Sequence, residues 1–396
     1  MPRDPLWRDR SFALLWSGQS VSLIGSQVTV VAVPLVAVAA LGAGPWEVGV
    51  VAACGRLPYL VFGLVAGVWV DRLPRRAVAA VCAVGQAVAL AVVPVAAAVV
   101  VLSVAVLAVA VAEARAFAVF GDIAGLALVP MVVPRDRLTR AQGAVEVSQA
   151  TAQVAGPALG GWLVGAGTAA GALLVDAASF VVAAVALAGV QVAGPAVGRA
   201  DASARAGMGA EVLAGLRAVF GHRILRRVTL CTATHVFWFN AFGAVLVLHL
   251  VADLGMTPSR LGMTLSVGAV GGLVGALVAA RAGEWFGRGP TMVAAILVTG
   301  GGQAFVAVSP MVGVAVMWFA LQVYNVHQVP VRYEVTPSAL HGRVNATIRT
   351  AVWGCAPAGA LVGGLLGDLV GSRATLVVSG VGAALACLWL ARTRVG

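Results

Sequence analysis

Apolar segments of helix length alternate with short polar segments along almost the whole chain. Each is long enough to cross the roughly 30 Å hydrocarbon core of a bilayer as an α-helix, which takes about 20 residues. The alternating strands of membrane barrels do not appear. The pattern therefore predicts an all-α, multi-pass membrane protein with spans at residues 12–40, 48–70, 77–96, 101–124, 142–164, 169–190, 228–252, 260–281, 290–308, 312–334, 345–367 and 374–391.

Composition agrees with this pattern. Of 396 residues, 61% are hydrophobic and 10% are charged, with a mean hydropathy of +0.99. A soluble protein carries roughly 25% charged residues, so an ordinary soluble enzyme is excluded. No sequence motif for a metal, a phosphate-binding loop or a catalytic nucleophile is present, and we expect no enzyme activity, cofactor or metal.

The arginines predict the topology. All 26 basic residues are Arg, and they alternate in number from one interhelical gap to the next. Only Arg260 and Arg373 fall in the gaps that follow the odd-numbered spans. By the positive-inside rule, both termini are cytoplasmic and the protein lies in the cell inner (plasma) membrane. The net charge of +11 therefore indicates contact with the lipid bilayer and no nucleic-acid partner.

The two halves of the chain repeat. Residues 49–75 recur 213 positions later, with Glu284 and Arg288 in the places of Asp71 and Arg75, and Gly160-Gly161 recurs after 203 positions as Gly363-Gly364. We predict an N-terminal six-helix bundle at 1–190 and a C-terminal six-helix bundle at 228–396. The linker at 191–227 should contain an amphipathic helix over Glu211–Arg227 that lies on the inner leaflet.

One polar loop carries a specific resemblance. The stretch Gly67-Val-Trp-Val-Asp71-Arg72-Leu-Pro-Arg75-Arg76 has four charges in six residues, which cannot lie in hydrocarbon. It resembles the signature between helices 2 and 3 of the major facilitator superfamily, with all its charged positions matched. The resemblance implies two pseudo-symmetric six-helix bundles with substrate held between them near the midplane.

Three further motifs narrow the resemblance. Gly156-Pro157-Ala-Leu-Gly160-Gly161 is similar to the antiporter motif of helix 5, although Ala152 replaces an upstream glycine. His341-Gly342-Arg343-Val344-Asn345 and the following glycines resemble the branch of enterobactin exporters and macrolide-efflux proteins. The resemblance implies a secondary active transporter that exports a small amphipathic molecule by alternating access, with proton antiport as the expected drive. Ala118-Val119 stands where drug antiporters carry Gln-Gly, which puts proton coupling in question.

The ionisable residues inside the spans are candidates for coupling. Glu113 and Asp122 are the predicted proton-coupling residues. Glu113 could instead form a static ion pair with Arg56, and both interpretations remain open. Asp122 could also belong to a cytoplasmic gate network with Glu146. For Asp176, on a helix that is usually peripheral in this family, a packing or lipid-edge role is expected.

The resemblance implies a cavity lined by helices 1, 4, 7 and 10, each of which carries polar or aromatic residues. Such residues can also join helices or pack, so this remains a hypothesis. The predicted substrate-binding residues are Gln19, Ser22, Ser26, Gln27, Arg115, His235, Trp238, Phe239, Asn240, Tyr324, Asn325 and Gln328.

Gating is assigned to the loop signature, to the helix 5 motif and to residues beside helix 11. The predicted gating residues are Gly67, Asp71, Arg72, Arg75, Arg76, Arg140, Gly156, Pro157, Glu334, Arg343 and Asn345. The expected partners are a small-molecule substrate, protons and lipid, and a monomer is expected. Two other functions remain open: a lipid or lysolipid flippase-like carrier, and a non-transporting scaffold or receptor.

Overall fold

The computed structural model describes residues 6–63, 65–70, 72–191, 208–336 and 340–391. Throughout these ranges the chain is built from helices joined by short connections. The α-helices are α1 (Arg10–Leu35), α2 (Pro45–Phe62), α3 (Val65–Val70), α4 (Arg75–Ala98), α5 (Val104–Val132), α6 (Leu138–Ala166), α7 (Ala169–Gly189), α8 (Met208–Gly221), α9 (Arg223–Leu248), α10 (Pro258–Phe286), α11 (Arg288–Phe305), α12 (Pro310–Glu334), α13 (His341–Val370), α14 (Ser372–Leu385) and α15 (Leu388–Ala391).

Every predicted span coincides with a helix or with two consecutive helices. Within the described ranges, eight helices are both long and apolar enough to cross a membrane. The four remaining spans correspond to α2 with α3, and to α6, α11 and α12, which are shorter or more polar. One prediction was wrong: the amphipathic helix does not run from Glu211 to Arg227. α8 ends at Gly221, and His222 then caps α9 by accepting a hydrogen bond from the Leu225 amide.

Polar residues placed just before the apolar runs begin several helices. Asp9 accepts hydrogen bonds from the Ser11 and Phe12 amides at the start of α1, at 2.9 and 3.2 Å. Ser103 and Thr168 do the same for α5 and α7. These side chains accept hydrogen bonds from backbone N–H groups that have no partner inside the helix. The hydrogen bonds fix the residue at which each helix begins.

The ends of α1 and α9 show the internal repeat in the backbone. Each helix continues into one turn of π-helix, at Val36–Ala40 and His249–Asp253. Each turn is followed by a glycine with positive φ, Gly42 at 63° and Gly255 at 62°. These pairs are separated by 213 residues, the offset found in the sequence. Only glycine adopts this conformation without steric cost, which explains why both positions hold it.

Contacts divide the chain into two compact units. The first comprises Met1–Gly42, Leu57–Ala200 and Thr257–Met263, and the second comprises Ala43–Arg56, Asp201–Met256 and Thr264–Gly396. A buried cluster around Leu15, Leu128 and Ala141 forms one core of the first unit. A cluster around Met292, Ile296 and Tyr324 forms one core of the second.

Close glycine contacts occur at equivalent places in the two units. In the first unit, a Cβ on Gly262 would lie 3.1 Å from the Gly161 Cα, and in the second a Cβ on Gly364 would lie 3.1 Å from the Gly49 Cα. The two pairs are related by the offsets of 203 and 213 residues. Small residues let helix backbones approach closely in a bilayer, so these positions fix where the helices cross.

Candidate transport site

The polar residues of α1 lie among neighbouring helices of the first unit. Gln19 is half-buried, its Nε2 is 2.9 Å from the position of a Cβ on Gly125 of α5, and its Oε1 has no hydrogen-bond partner among the described residues. The Gln27 side chain packs on Gly156 of α6, which joins a predicted substrate residue to a predicted gating residue. Ser22 donates to the Gln19 carbonyl oxygen at 3.1 Å.

The predicted coupling residues of α5 are accessible. Glu113 and Asp122 are both exposed within the first unit, and Arg115 between them is half-buried. Asp122 accepts a hydrogen bond from the Tyr59 hydroxyl at 3.3 Å. The Arg56–Glu113 ion pair and the proton-carrying role of Glu113 both remain predictions.

The most deeply buried acid lies elsewhere. Asp176 of α7 is 1% exposed and accepts a hydrogen bond from the Thr29 hydroxyl of α1. The Ser179 hydroxyl lies 3.1 Å from the other carboxylate oxygen. A lipid-edge role for Asp176 is therefore wrong. The sequence signal for Asp176 was only that an acid stands in an apolar helix. Its burial could not be predicted, because its hydrogen-bond partner Thr29 is 147 positions away.

In the second unit, most of the predicted substrate residues are buried. His235 is 2% exposed with neither ring nitrogen bonded among the described residues, and Asn240 donates to the Val236 carbonyl oxygen at 2.8 Å. Trp238 packs against Gly382 of α14, and Phe239 contacts Trp318 edge to face at 5.7 Å between ring centroids. The substrate-binding role of these residues stays a prediction.

A polar network that the sequence did not predict connects α9 and α12. Thr232 and Tyr324 share a hydrogen bond of 2.7 Å, although Tyr324 is fully buried. The Arg332 guanidinium donates to Thr232 Oγ1 at 3.4 Å and to Gln328 Oε1. Asn325 accepts from Gln328 at 3.4 Å, so three predicted substrate residues, Tyr324, Asn325 and Gln328, belong to this network.

The gating residues form contacts within their own units. Arg75 contacts the Met131 sulfur, and Arg76 donates to the Val190 carbonyl oxygen at 2.8 Å, which fixes the start of α4 against α5 and the end of α7. Asp71 and the Arg343 side chain lie outside the described residues. Gly67 is half-buried, Arg72 and Arg140 are exposed, and the Pro157 carbonyl group lies against Gly262.

The second unit carries the counterpart of this loop. Glu334 forms an ion pair with Arg288 at 2.5 Å, and both side chains are about half exposed. Arg288 is the residue that repeats Arg75. Asn345 donates to the Tyr333 hydroxyl at 3.0 Å. The sequence placed Glu334 in a gate network but did not identify Arg288 as its partner.

An open groove of about 630 Å³ lies between α5 and α6 in the first unit. Its walls are mainly aliphatic, and Glu146 is the charged residue among those that line it. Gly143 has no atom within 4 Å of where a Cβ would stand, so there is open space beside this residue. The groove is open to its surroundings and combines apolar walls with few polar groups. The lining residues are Leu126, Val129, Pro130, Leu138, Thr139, Gln142, Gly143 and Glu146.

The helical spans, the repeated halves and the charged loop between α3 and α4 together define a multi-pass helical membrane transporter. The chain belongs to the Major Facilitator Superfamily, whose family model matches residues 15–321 and, a second time, 228–396. The second match begins where the sequence repeat places the second bundle.

Two efflux proteins are similar along nearly their whole length. The multidrug efflux pump Tap of Mycobacterium tuberculosis is 29% identical over 382 residues, covering 93% of this chain and 90% of that protein. Macrolide efflux protein A of Streptococcus pyogenes is 23% identical over 376 residues, covering 93% and 92%.

Solved transporter structures share the fold. A point mutant of the nucleoside transporter NupG superposes with a TM-score of 0.74 at 13% identity, covering 96% of this chain and 98% of that one. A bacterial homologue of the iron transporter ferroportin, in its inward-facing state, gives 0.73 at 17% identity, covering 98% and 100%. These structures confirm the fold, and the family match and the efflux relatives identify the protein as a major facilitator transporter and not an enzyme.

Proposed function

We propose that this transporter exports small amphipathic molecules by alternating access and that proton antiport drives the export. The observation that carries the proposal is the full-length similarity to two efflux proteins, one named for many drugs and one for macrolides. The groove between α5 and α6 supports it, because aliphatic walls with one carboxylate suit an apolar molecule that carries an amine.

Proton coupling is supported by the carboxyl groups inside the spans. Ionisable side chains are costly in a bilayer and usually serve transport. The first experiment measures export of ethidium, erythromycin and a catecholate siderophore in proteoliposomes, with and without a pH gradient. Uphill export that requires the gradient supports the proposal. Export that is equally fast without it would remove proton antiport.

Glu113→Gln tests the predicted coupling residue. We expect this variant to be expressed normally and to lose gradient-driven export, because the amide cannot exchange a proton. Asp136→Asn is the matched control, since Asp136 is an exposed acid in the connection before α6. Normal export by Glu113→Gln would remove this residue from the mechanism.

The proposed topology places both termini in the cytoplasm. Single cysteines at Arg72 and Arg137, in a background without the native cysteines, should be labelled by an impermeant maleimide only after the cells are opened. A cysteine at Arg260 should be labelled in intact cells. Labelling of positions 72 and 137 from opposite sides would contradict the topology.

A flippase-like carrier remains the second candidate, because the walls of the groove are aliphatic and the gap is open. It predicts that a fluorescent lysolipid is moved between leaflets and that ethidium is not. A scaffold predicts no movement of either compound. The same proteoliposomes separate these functions from drug export.

A further inference from the structure

Asp176 is buried in the membrane region without an acid–base partner in direct contact. It lies near the middle of α7 and is 1% exposed. Its described hydrogen-bond partners are two hydroxyl groups, Thr29 from α1 and Ser179 from its own helix. A buried carboxylate is costly unless it is paired, whereas a neutral carboxylic acid needs only hydrogen bonds. Two hydroxyls are a suitable surrounding for the neutral form.

The hydroxyl of Ser179 serves two acceptors on Asp176. Ser179 Oγ lies 2.7 Å from the Asp176 backbone carbonyl oxygen and 3.1 Å from its Oδ1, and it donates to both. A hydroxyl has one hydrogen, so the longer contact with Oδ1 is the weaker of the two. A negative charge on Oδ1 is therefore only weakly stabilised by this donor.

A positively charged neighbour, Arg115, could compensate a negative charge on Asp176 in place of a bound proton. It is the charged side chain among the described residues that acts electrostatically on Asp176, from α5. The arginines of α1 and α4, the helices that pack most closely on α7, lie in the first turns of those helices. Asp176 can therefore be neutral with a proton bound, or negative and facing Arg115.

The carboxyl is in close contact with α1. A Cβ on Gly25 of α1 would lie 2.6 Å from Asp176 Oδ1 and 2.8 Å from the Ser179 Cβ, so the two helices touch at this point. Thr29 is three residues after Ser26 and seven after Ser22, and these spacings place all three on one face of the helix. The hydrogen bond between Thr29 and Asp176 therefore connects the protonation state of Asp176 to the helix face that carries the predicted substrate residues Ser22 and Ser26.

We infer that Asp176 is a proton-carrying residue of this transporter and that it couples protonation to the position of α1 through Thr29. The inference rests on the proposed proton antiport. With the proton bound, the carboxyl donates one hydrogen bond to a hydroxyl. When the proton leaves to water, the carboxylate accepts hydrogen bonds from both hydroxyls and attracts Arg115, and this changes the contact between α1 and α7.

The first test is infrared difference spectroscopy of the purified full chain in lipid, titrated with acid and base. Wild-type minus Asp176→Asn spectra should contain the carbonyl stretch of a protonated carboxyl group that disappears as the pH rises. Asp136→Asn, as the control, should not remove this band. A band that is absent at every pH, or one that does not titrate, would overturn the inference, since a purely structural acid keeps one protonation state.

The second test is transport in proteoliposomes. Asp176→Asn keeps the shape of the side chain and should lose ethidium export driven by a pH gradient. Asp136→Asn, the control, should keep gradient-driven ethidium export. Gradient-driven export by Asp176→Asn would overturn the inference while leaving proton antiport intact. A wild-type protein that ignores the gradient would instead overturn the proposed function, and this inference with it.

Thr29→Val provides the test if Asp176→Asn does not fold. Valine has the shape of threonine without its hydroxyl, so the carboxylate loses one donor. We expect the carbonyl stretch of the protonated carboxyl group to change in frequency, because the carboxyl loses one hydrogen-bond partner. An unchanged band in Thr29→Val would contradict the role assigned to this hydroxyl and overturn the proposed coupling.

Discussion

The contact between α9 and α13 allows a quantitative test of how helices approach in this fold. Gly359 and Gly363 of α13 are four residues apart and lie directly against the α9 backbone. A Cβ on Gly363 would stand 2.5 Å from the Ala241 Cα and 2.7 Å from its carbonyl carbon. These neighbours are backbone atoms of a helix, so they cannot move aside by rotating a side chain. Gly363→Ala must therefore push the helices apart.

The size of the effect follows from these distances. Ordinary van der Waals contact begins near 3.4 Å, so α13 and α9 must separate locally by at least about 0.9 Å, because the Ala241 carbonyl oxygen is nearer still than its Cα. Such overpacking costs about 1–3 kcal/mol. Alanine recovers about 1 kcal/mol through its higher helix propensity. We expect Gly363→Ala to lose up to about 2 kcal/mol of stability and to be less stable than a control alanine variant without this clash.

Gly243→Ala is the matched control. Gly243 is on α9, is exposed and has no atom within 4 Å of where its Cβ would stand. Alanine there should be neutral or stabilising by up to about 1 kcal/mol. Both variants are purified in mild detergent and unfolded with increasing sodium dodecyl sulfate, and the loss of helical circular dichroism is recorded. Equal midpoints for Gly363→Ala and Gly243→Ala would show that the close approach of α9 and α13 has been misjudged.

Three further predictions concern the groove, the turns and the ion pair. At Gly143 a Cβ meets no atom, so Gly143→Leu should place an apolar side chain in the groove and slow erythromycin export more than ethidium export. Glu146→Gln should weaken export of cationic ethidium, and unchanged transport kinetics for both variants would remove the groove from the substrate path. Gly255→Ala should cost about 1–2 kcal/mol in detergent unfolding, because its φ of 62° is unfavourable for alanine, and an unchanged midpoint would contradict this. Removing the half-exposed ion pair by Glu334→Gln should change stability by less than about 1 kcal/mol, so a larger loss in the same assay would show that its link to Arg288 is shielded from water.

The sequence alone was sufficient to locate the spans. Their length and apolarity are local properties, and each predicted span coincides with helix in the structure. The repeat could also be found in the sequence. Its offset of 213 residues is the separation between the two π-helical turns and between Gly42 and Gly255. The charged loop with Arg72, Arg75 and Arg76 was sufficient to identify the superfamily, which the family model confirms.

The helix boundaries near the middle of the chain were harder to predict from the sequence. Glu211 to Arg227 has the periodicity of one amphipathic helix, yet the helix breaks after Gly221 because His222 caps the next one. A side chain that caps the N-terminus of a helix can stabilise a new helix start even where the amphipathic pattern of the sequence continues without a break. Periodicity by itself does not distinguish these two outcomes.

The packing partners were decided only by the tertiary structure. A helix that is apolar nearly all round gives no indication of which face meets a neighbour, so the contact of Asp176 with Thr29 could not be read from α1 or α7. The same holds for Gln27 against Gly156 and for Arg288 with Glu334. Membrane helices have little polar patterning to orient them, and their relative rotation is set by close packing and a few hydrogen bonds. The sequence therefore determined where the apolar helices lie, and the packing of these helices decided which acid is buried.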